Sequence, residues 1–131
     1  MKRYRYTINS QFSVGMPLID IQLLNGSKSM VVSALVDSGA SLNILPFDVG
    51  IDLGLVWEDQ TFSIDLGGIL ADSKAYGVML QAQIADSQPT QLAFAWVNRP
   101  SSEMRVLLGQ VNFFQNFDVH FYGNQQLFDI E

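Results

Sequence analysis

An aspartate stands where an apolar strand runs into a glycine turn: the chain reads Leu35-Val36-Asp37-Ser38-Gly39-Ala40-Ser41. Asp-Ser-Gly is a common turn tripeptide. Here, however, Val32, Ala34, Leu35 and Val36 lead directly into the acid, and a carboxylate at the end of an apolar strand is an odd place for a charge without a task. The chemistry open to it is proton transfer. Hydrolysing an amide with water needs a base to activate the water and an acid to protonate the leaving nitrogen. Two carboxylates sharing one proton supply both, because like charges about 3 Å apart cannot both ionise. Asp-Ser-Gly occurs once, and 69 residues after Asp37 a second apolar segment ends in glycine, Val106-Leu107-Leu108-Gly109.

Strands punctuated by turns must position that acid. Residues 17–24 form a mixed apolar run, Asn25-Gly26 is a strong hairpin signal, and residues 30–36 return as the strand that carries the motif. Residues 42–45 are apolar again, and Pro46 opens a short helical turn that reaches Leu53-Gly54. Segments 61–66 and 75–80 flank Gly67-Gly68 and predict a hairpin with a flexible glycine tip. Residues 91–97 form a further strand that ends in the loop 98–102. Residues 109–116 are the best helix candidate. Phe117, Val119 and Phe121 then alternate with Asp118, His120 and Tyr122, and Gly123-Asn124 turns into a last strand over 126–130. About seven short strands and one short helix predict an all-β chain folded as a closed or nearly closed barrel.

The Asp37 turn, taken with the later Leu107-Leu108-Gly109, resembles the active-site core of retropepsin-like aspartic proteases. The likeness covers most of the chain, from about residue 17 to residue 121. It implies a small closed barrel of the retropepsin type with a flap hairpin at Gly67-Gly68. It also implies a homodimeric endopeptidase, since one copy of the motif gives half an active site and the second carboxylate is Asp37 of another chain. On this resemblance Asp37 is catalytic, Ser38 bonds across the dimer axis, and Gly39 permits both close backbone approach and a conformation barred to other residues. Ala40, Ser41, Gly67, Gly68 and Ile69 would contact a peptide or protein substrate. No cofactor and no metal are implied. Two departures stand out. Viral members pair an acid after the Asp-Thr/Ser-Gly-Ala stretch with an arginine after the later glycine, whereas this chain has Ser41 and Gln110 there. Viral chains also end near the equivalent of Phe121 or Tyr122, so their interleaved termini cannot simply be carried over.

Composition is consistent with that expectation. The chain has 131 residues, enough for one domain over 1–131, and 48% are hydrophobic, with nine Phe and two Trp, so a folded chain is expected. A net charge of −6 with scattered basic residues argues against nucleic acid. No apolar run reaches the roughly 18 residues that span a bilayer and no signal-like stretch follows Met1, so a cytoplasmic protein is expected. With no cysteine and a single histidine, His120, a metal site would rest on carboxylates almost alone. Asp65 is expected as a solvent charge at the hairpin end, and Asp48, Asp52, Asp72, Asp86, Asp118 and Asp129 as surface charges. The Lys2-Arg3-Arg5 cluster reads as a solvated end, Trp57 and Trp96 as packing, and Tyr76 as an aromatic on the returning flap strand. Two other functions fit the same features: a catalytically silent dimeric module with this fold, and an unrelated barrel for a small apolar ligand.

Overall fold

The computed structural model describes residues 1–9 and 14–131, with the side chains of Asn9 and Ile69 outside the described residues. Alternation of apolar and polar residues builds the barrel strands. In β4 (Leu18–Asn25) Ile19, Ile21 and Leu23 point inward while Asp20 and Gln22 point away. Its hairpin partner β5 (Lys28–Val36) returns across a two-residue turn at Gly26-Ser27, one position later than Asn25-Gly26. Gly26 has φ of +60°, the left-handed conformation that glycine adopts without penalty at the first central position of such a turn.

Four more strands close the wall. β6 (Asn43–Leu45) precedes α1 (Phe47–Asp52), which Pro46 caps at its start and Gly54, with φ of +82°, follows at its end. β7 (Ser63–Ile64) and β8 (Ala75–Gln83) form an arm, and β9 (Thr90–Val97) and β10 (Val106–Leu108) complete the barrel. The order is β4-β5-β10-β6-β9-β8, with β8 pairing back to β4, so the six-stranded wall is closed, and β7 extends the outer edge of β8. The short helix α2 (Phe113–Asn116) buries Phe113 in the barrel core. Trp96, Phe94, Phe113 and Phe128 are the bulkiest fully buried side chains, each contributing on the order of 2–3 kcal/mol of transfer free energy.

The helix expected over 109–116 is a single turn, because the backbone at its start is committed elsewhere. The N–H groups of Gln110 and Val111 donate to the carbonyls of Ala40 and Ser41 at 2.9 and 2.8 Å. Val111 is also bridged in parallel to Leu42 and its carbonyl accepts Asn43 N–H at 3.1 Å, so the helical turn starts only beyond it.

The chain ends form a second, three-stranded sheet, β1 (Lys2–Arg5), β12 (Leu127–Ile130) and β11 (Val119–Tyr122), in the order β1-β12-β11. One face carries the aromatic row Tyr4, Phe128 and Phe121, with Tyr4 stacked on Phe128 at 5.3 Å between centroids. The other carries Arg3, Asp129 and His120 side by side. Asp129 is therefore not the surface charge expected: it is 1% exposed and bonded bidentately by Arg3 at 2.7 and 2.9 Å. Arg3 likewise does more than solvate an end. A small sheet of β2 (Thr7–Asn9) and β3 (Val14–Met16) branches from β1 and is tied to Gln126 through Gly15 N–H at 3.1 Å. No helix is long and apolar enough to cross a membrane among the described residues.

Candidate active site

Asp37 leaves the barrel at the end of β5, beside the parallel strand β10. Its N–H donates to Leu108 O at 2.9 Å, the last rung of that ladder, and its carbonyl accepts Ala40 N–H at 3.1 Å, closing a turn over residues 37–40. Within that turn Asp37 Oδ1 accepts Gly39 N–H at 2.9 Å. The side chain is thereby folded back over its own turn, half-buried, and Oδ2 accepts no protein hydrogen bond among the described residues. Such a carboxylate is held in place yet has an oxygen free for a water or a second acid.

Gly39 works differently from the expectation. Its φ is not in the left-handed region, so no barred conformation is required. A Cβ there would stand 3.3 Å from Asp37 Oδ1, so what glycine provides is clearance beside the carboxylate. Gly109 is the residue whose lack of a side chain is structurally demanded: a Cβ would lie 2.6 Å from Leu42 O and 2.7 Å from Ala40 O. The chain crosses beneath the Asp37 turn at this point, backbone against backbone.

Three side chains hold that crossing, and the sequence reading singled out two of them, Asn43 and Asn112, not at all. Asn43 is fully buried; its Oδ1 accepts Gly109 N–H at 2.7 Å and its Nδ2 donates to Ala93 O at 2.9 Å and to Asn112 Oδ1 at 3.3 Å. Asn112 Oδ1 also accepts Ala93 N–H at 3.0 Å. The signal for Asn43 is a polar residue inside the apolar run Leu42-Asn43-Ile44-Leu45, where a buried amide must find partners on every side. The third is Gln110. Lacking the viral ion pair, the chain uses Gln110 Nε2 to bond Ser38 O at 2.8 Å, which ties the crossing segment to the tip of the turn.

Ser38, Gly39 and Ser41 are exposed and Ala40 is half-buried, so the sequence-predicted cluster around Asp37 is one contiguous turn open to solvent. Gly67 and Gly68 lie apart from it, exposed at the tip of the β7–β8 arm, where Gly68 has φ of +63° within a 3-10 turn. The arm is shorter in pairing than the expected hairpin: β7 contributes two residues, and the tip spans the intervening ten residues, 65–74. Its base is fastened by Arg99 Nε to Ser73 Oγ at 2.6 Å and by paired bonds between Lys74 and Asn98. Tyr76 faces Trp57 edge-on at 4.7 Å, so it braces the base of the arm. The Ile69 side chain lies outside the described residues.

What joins arm and turn is an apolar cluster separate from the barrel core. Buried Ile44, Ala75, Ala95 and Val97 pack with Leu42 and Leu107, neighbours of the motif segments, and with Ile64, Leu66 and Leu70 from the arm. A cleft of about 440 Å³, lined by Leu42, Phe62, Ile64, Met79, Ala95 and Val111, opens beside it. Elsewhere, Asp48 is half-buried: the Ser101 hydroxyl and N–H bond its carboxylate and hold its pKa below the usual range.

This architecture is that of the retropepsin-like aspartic proteases. The chain superposes on a retropepsin-like aspartic protease from Rickettsia conorii with a TM-score of 0.67 at 14% identity, covering 100% of this chain and 99% of that one. It superposes on EIAV protease in complex with the inhibitor HBY-793 with a TM-score of 0.59 at 14% identity, covering 84% and 92%. No protein-family model matches the sequence, and neither does any curated protein.

Proposed function

We propose that the chain is a homodimeric aspartic endopeptidase, with Asp37 of each copy supplying half of the catalytic dyad. One carboxylate takes a proton from the attacking water while the other, protonated, hydrogen-bonds the scissile carbonyl and delivers its proton toward the leaving nitrogen. The observation that carries the reading is Asp37 itself: a carboxylate at a strand end, oriented by Gly39 N–H, with its second oxygen unclaimed, in a fold whose solved examples include proteases. A module kept only for binding has no use for a half-buried acid held in a braced turn with one oxygen unclaimed.

Ser38 then bonds across the dimer axis, and Gly39 and Ala40 with Ser41 contact the substrate where the two Asp37 turns meet. The β7–β8 arm acts as the flap, with Gly67 and Gly68 closing over the peptide. The apolar cleft beside the arm fits a peptide segment with apolar side chains flanking the cleaved bond.

The test is a peptidase assay on Asp37→Asn. The amide keeps the shape of the turn but can neither take nor share the proton, so hydrolysis falls by several orders of magnitude while circular dichroism is unchanged. Undiminished hydrolysis by the purified variant overturns the reading.

A further inference from the structure

The shared dyad proposed above requires a two-fold dimer, and the terminal sheet restricts where the partner can sit. In an interleaved interface, a partner's strand would lie between the two terminal strands of one chain. Here β12 of the same chain already fills that place, pairing with β1 on one side and β11 on the other. A partner can add only at an outer edge.

The two edges are not equivalent. β1 carries Lys2, Arg3 and Arg5, which a two-fold axis would set cation against cation. Its flank also faces the barrel, since Tyr4 and Thr7 line a cleft shared with Leu18, Ile19 and Ser33. β11 reads Val119-His120-Phe121-Tyr122, with no lysine, arginine, carboxylate or proline to blunt it, and Phe121 and Tyr122 are 39% and 37% exposed. Uncharged, unprotected edges of this kind are what folded proteins avoid unless they are paired.

Hydrogen-bond alternation shows which groups face outward. Asp118 and Glu131 exchange both backbone bonds, at 3.2 and 2.9 Å. The next bonded pairs along the antiparallel ladder are therefore His120 with Asp129 and Tyr122 with Leu127. The N–H and C=O of Val119 and Phe121 consequently point away from β12, and they meet no backbone partner among the described residues.

We propose that a second copy of this chain docks antiparallel on the β11 edge, so that three strands from each copy form one continuous sheet across the two-fold axis. An isologous pair makes full use of the outward groups when Val119 of one copy bonds the partner's Phe121 and the reverse. In that register His120 faces the partner's His120 as a non-bonded pair. Phe121, at the end of the aromatic row of Tyr4 and Phe128, then stands opposite the partner's Val119 on the same face, which covers its exposed side.

This inference rests on the shared-dyad reading, and the absence of native cysteine makes it directly testable. In a non-bonded antiparallel pair the Cα atoms lie about 4.5 Å apart, within the span a disulfide bridges. His120→Cys is therefore expected to give a disulfide-linked dimer on a non-reducing gel after mild oxidation, and the linked species is expected to keep its peptidase activity on dilution. Lys2→Cys, on the opposite edge, is expected to stay unlinked. An active wild-type dimer in which His120→Cys fails to link, or in which Lys2→Cys links as readily, overturns the β11 interface and leaves the dyad standing. A wild-type chain that remains monomeric at every concentration overturns both.

Discussion

The side chain of Asn43 and the backbone of Gly109, 66 residues apart, meet in a 2.7 Å hydrogen bond inside the barrel, directly beneath the Asp37 turn. That bond joins β6 to the end of β10, and β10 in turn holds β5 and Asp37 through the Leu108 carbonyl. The turn is thus braced from below by one buried amide and from the side by Gln110.

Asn43→Ala is expected to cost stability well beyond the loss of one contact. It strands the N–H of Gly109 and unpairs one side of Asn112, and each buried polar group left unsatisfied costs about 1–3 kcal/mol. Denaturant unfolding should show the loss. Gln110→Ala, at an exposed position, is expected to unfold at nearly the wild-type midpoint while losing kcat, because only the tip of the turn is loosened. Equal stability losses in both variants would contradict this division of roles.

Gly39 and Gly109 should respond to alanine in opposite ways. At Gly109 the new methyl meets two backbone carbonyls that cannot swing aside, so Gly109→Ala is expected to destabilise by about 1–3 kcal/mol or to prevent folding. At Gly39 the nearest atom is the Asp37 carboxylate oxygen at 3.3 Å. Gly39→Ala should therefore fold with a near-native Tm and show reduced kcat/KM. A stability loss at Gly39 matching that at Gly109 would mean the clearance assigned to Gly39 is wrong.

How far these roles could be read from sequence depends on how local their causes are. The β4–β5 hairpin and the strand ending at Asp37 follow from alternation and a turn glycine, both visible within a dozen residues. The short second helix was misjudged because residues 110–111 are claimed by Ala40 and Ser41, partners some 70 positions away. Asp129 was misread for the same reason: Arg3 covers it from 126 residues upstream. β1 was missed because its partner is the last strand of the chain. Asn43 alone offered a local clue, an amide amid apolar neighbours.

Acid should act on the terminal sheet before the barrel. Hydrogen bonds from Arg3 outweigh the desolvation of Asp129 and hold its carboxyl below the usual range. A depressed folded-state pKa means the pair stabilises the fold above the ordinary aspartate value of about 3.9, and that this stability is lost as pH falls through the folded value. Wild-type Tm is therefore expected to drop more steeply below about pH 4 than that of Asp129→Asn. Parallel curves for the two proteins would rule out the pair as the source.

Tyr4 is a site where removal should help. Its hydroxyl is buried with no hydrogen-bond partner among the described residues, and burial pushes its pKa up. Tyr4→Phe keeps the stack on Phe128 and removes the unsatisfied oxygen, so a gain of about 1 kcal/mol is expected in thermal or denaturant unfolding. A clear loss of stability would mean the hydroxyl is satisfied in solution.

Subunit mixing tests most directly the claim that two copies of Asp37 make one active site. Wild-type chain at fixed concentration is equilibrated with increasing Asp37→Asn chain, and peptide hydrolysis is measured per wild-type chain. If each site needs one Asp37 from each copy, mixed dimers are inactive and activity falls to about half at an equal mixture and about one tenth at ninefold excess. Activity per wild-type chain that stays constant across the whole titration would contradict a shared dyad.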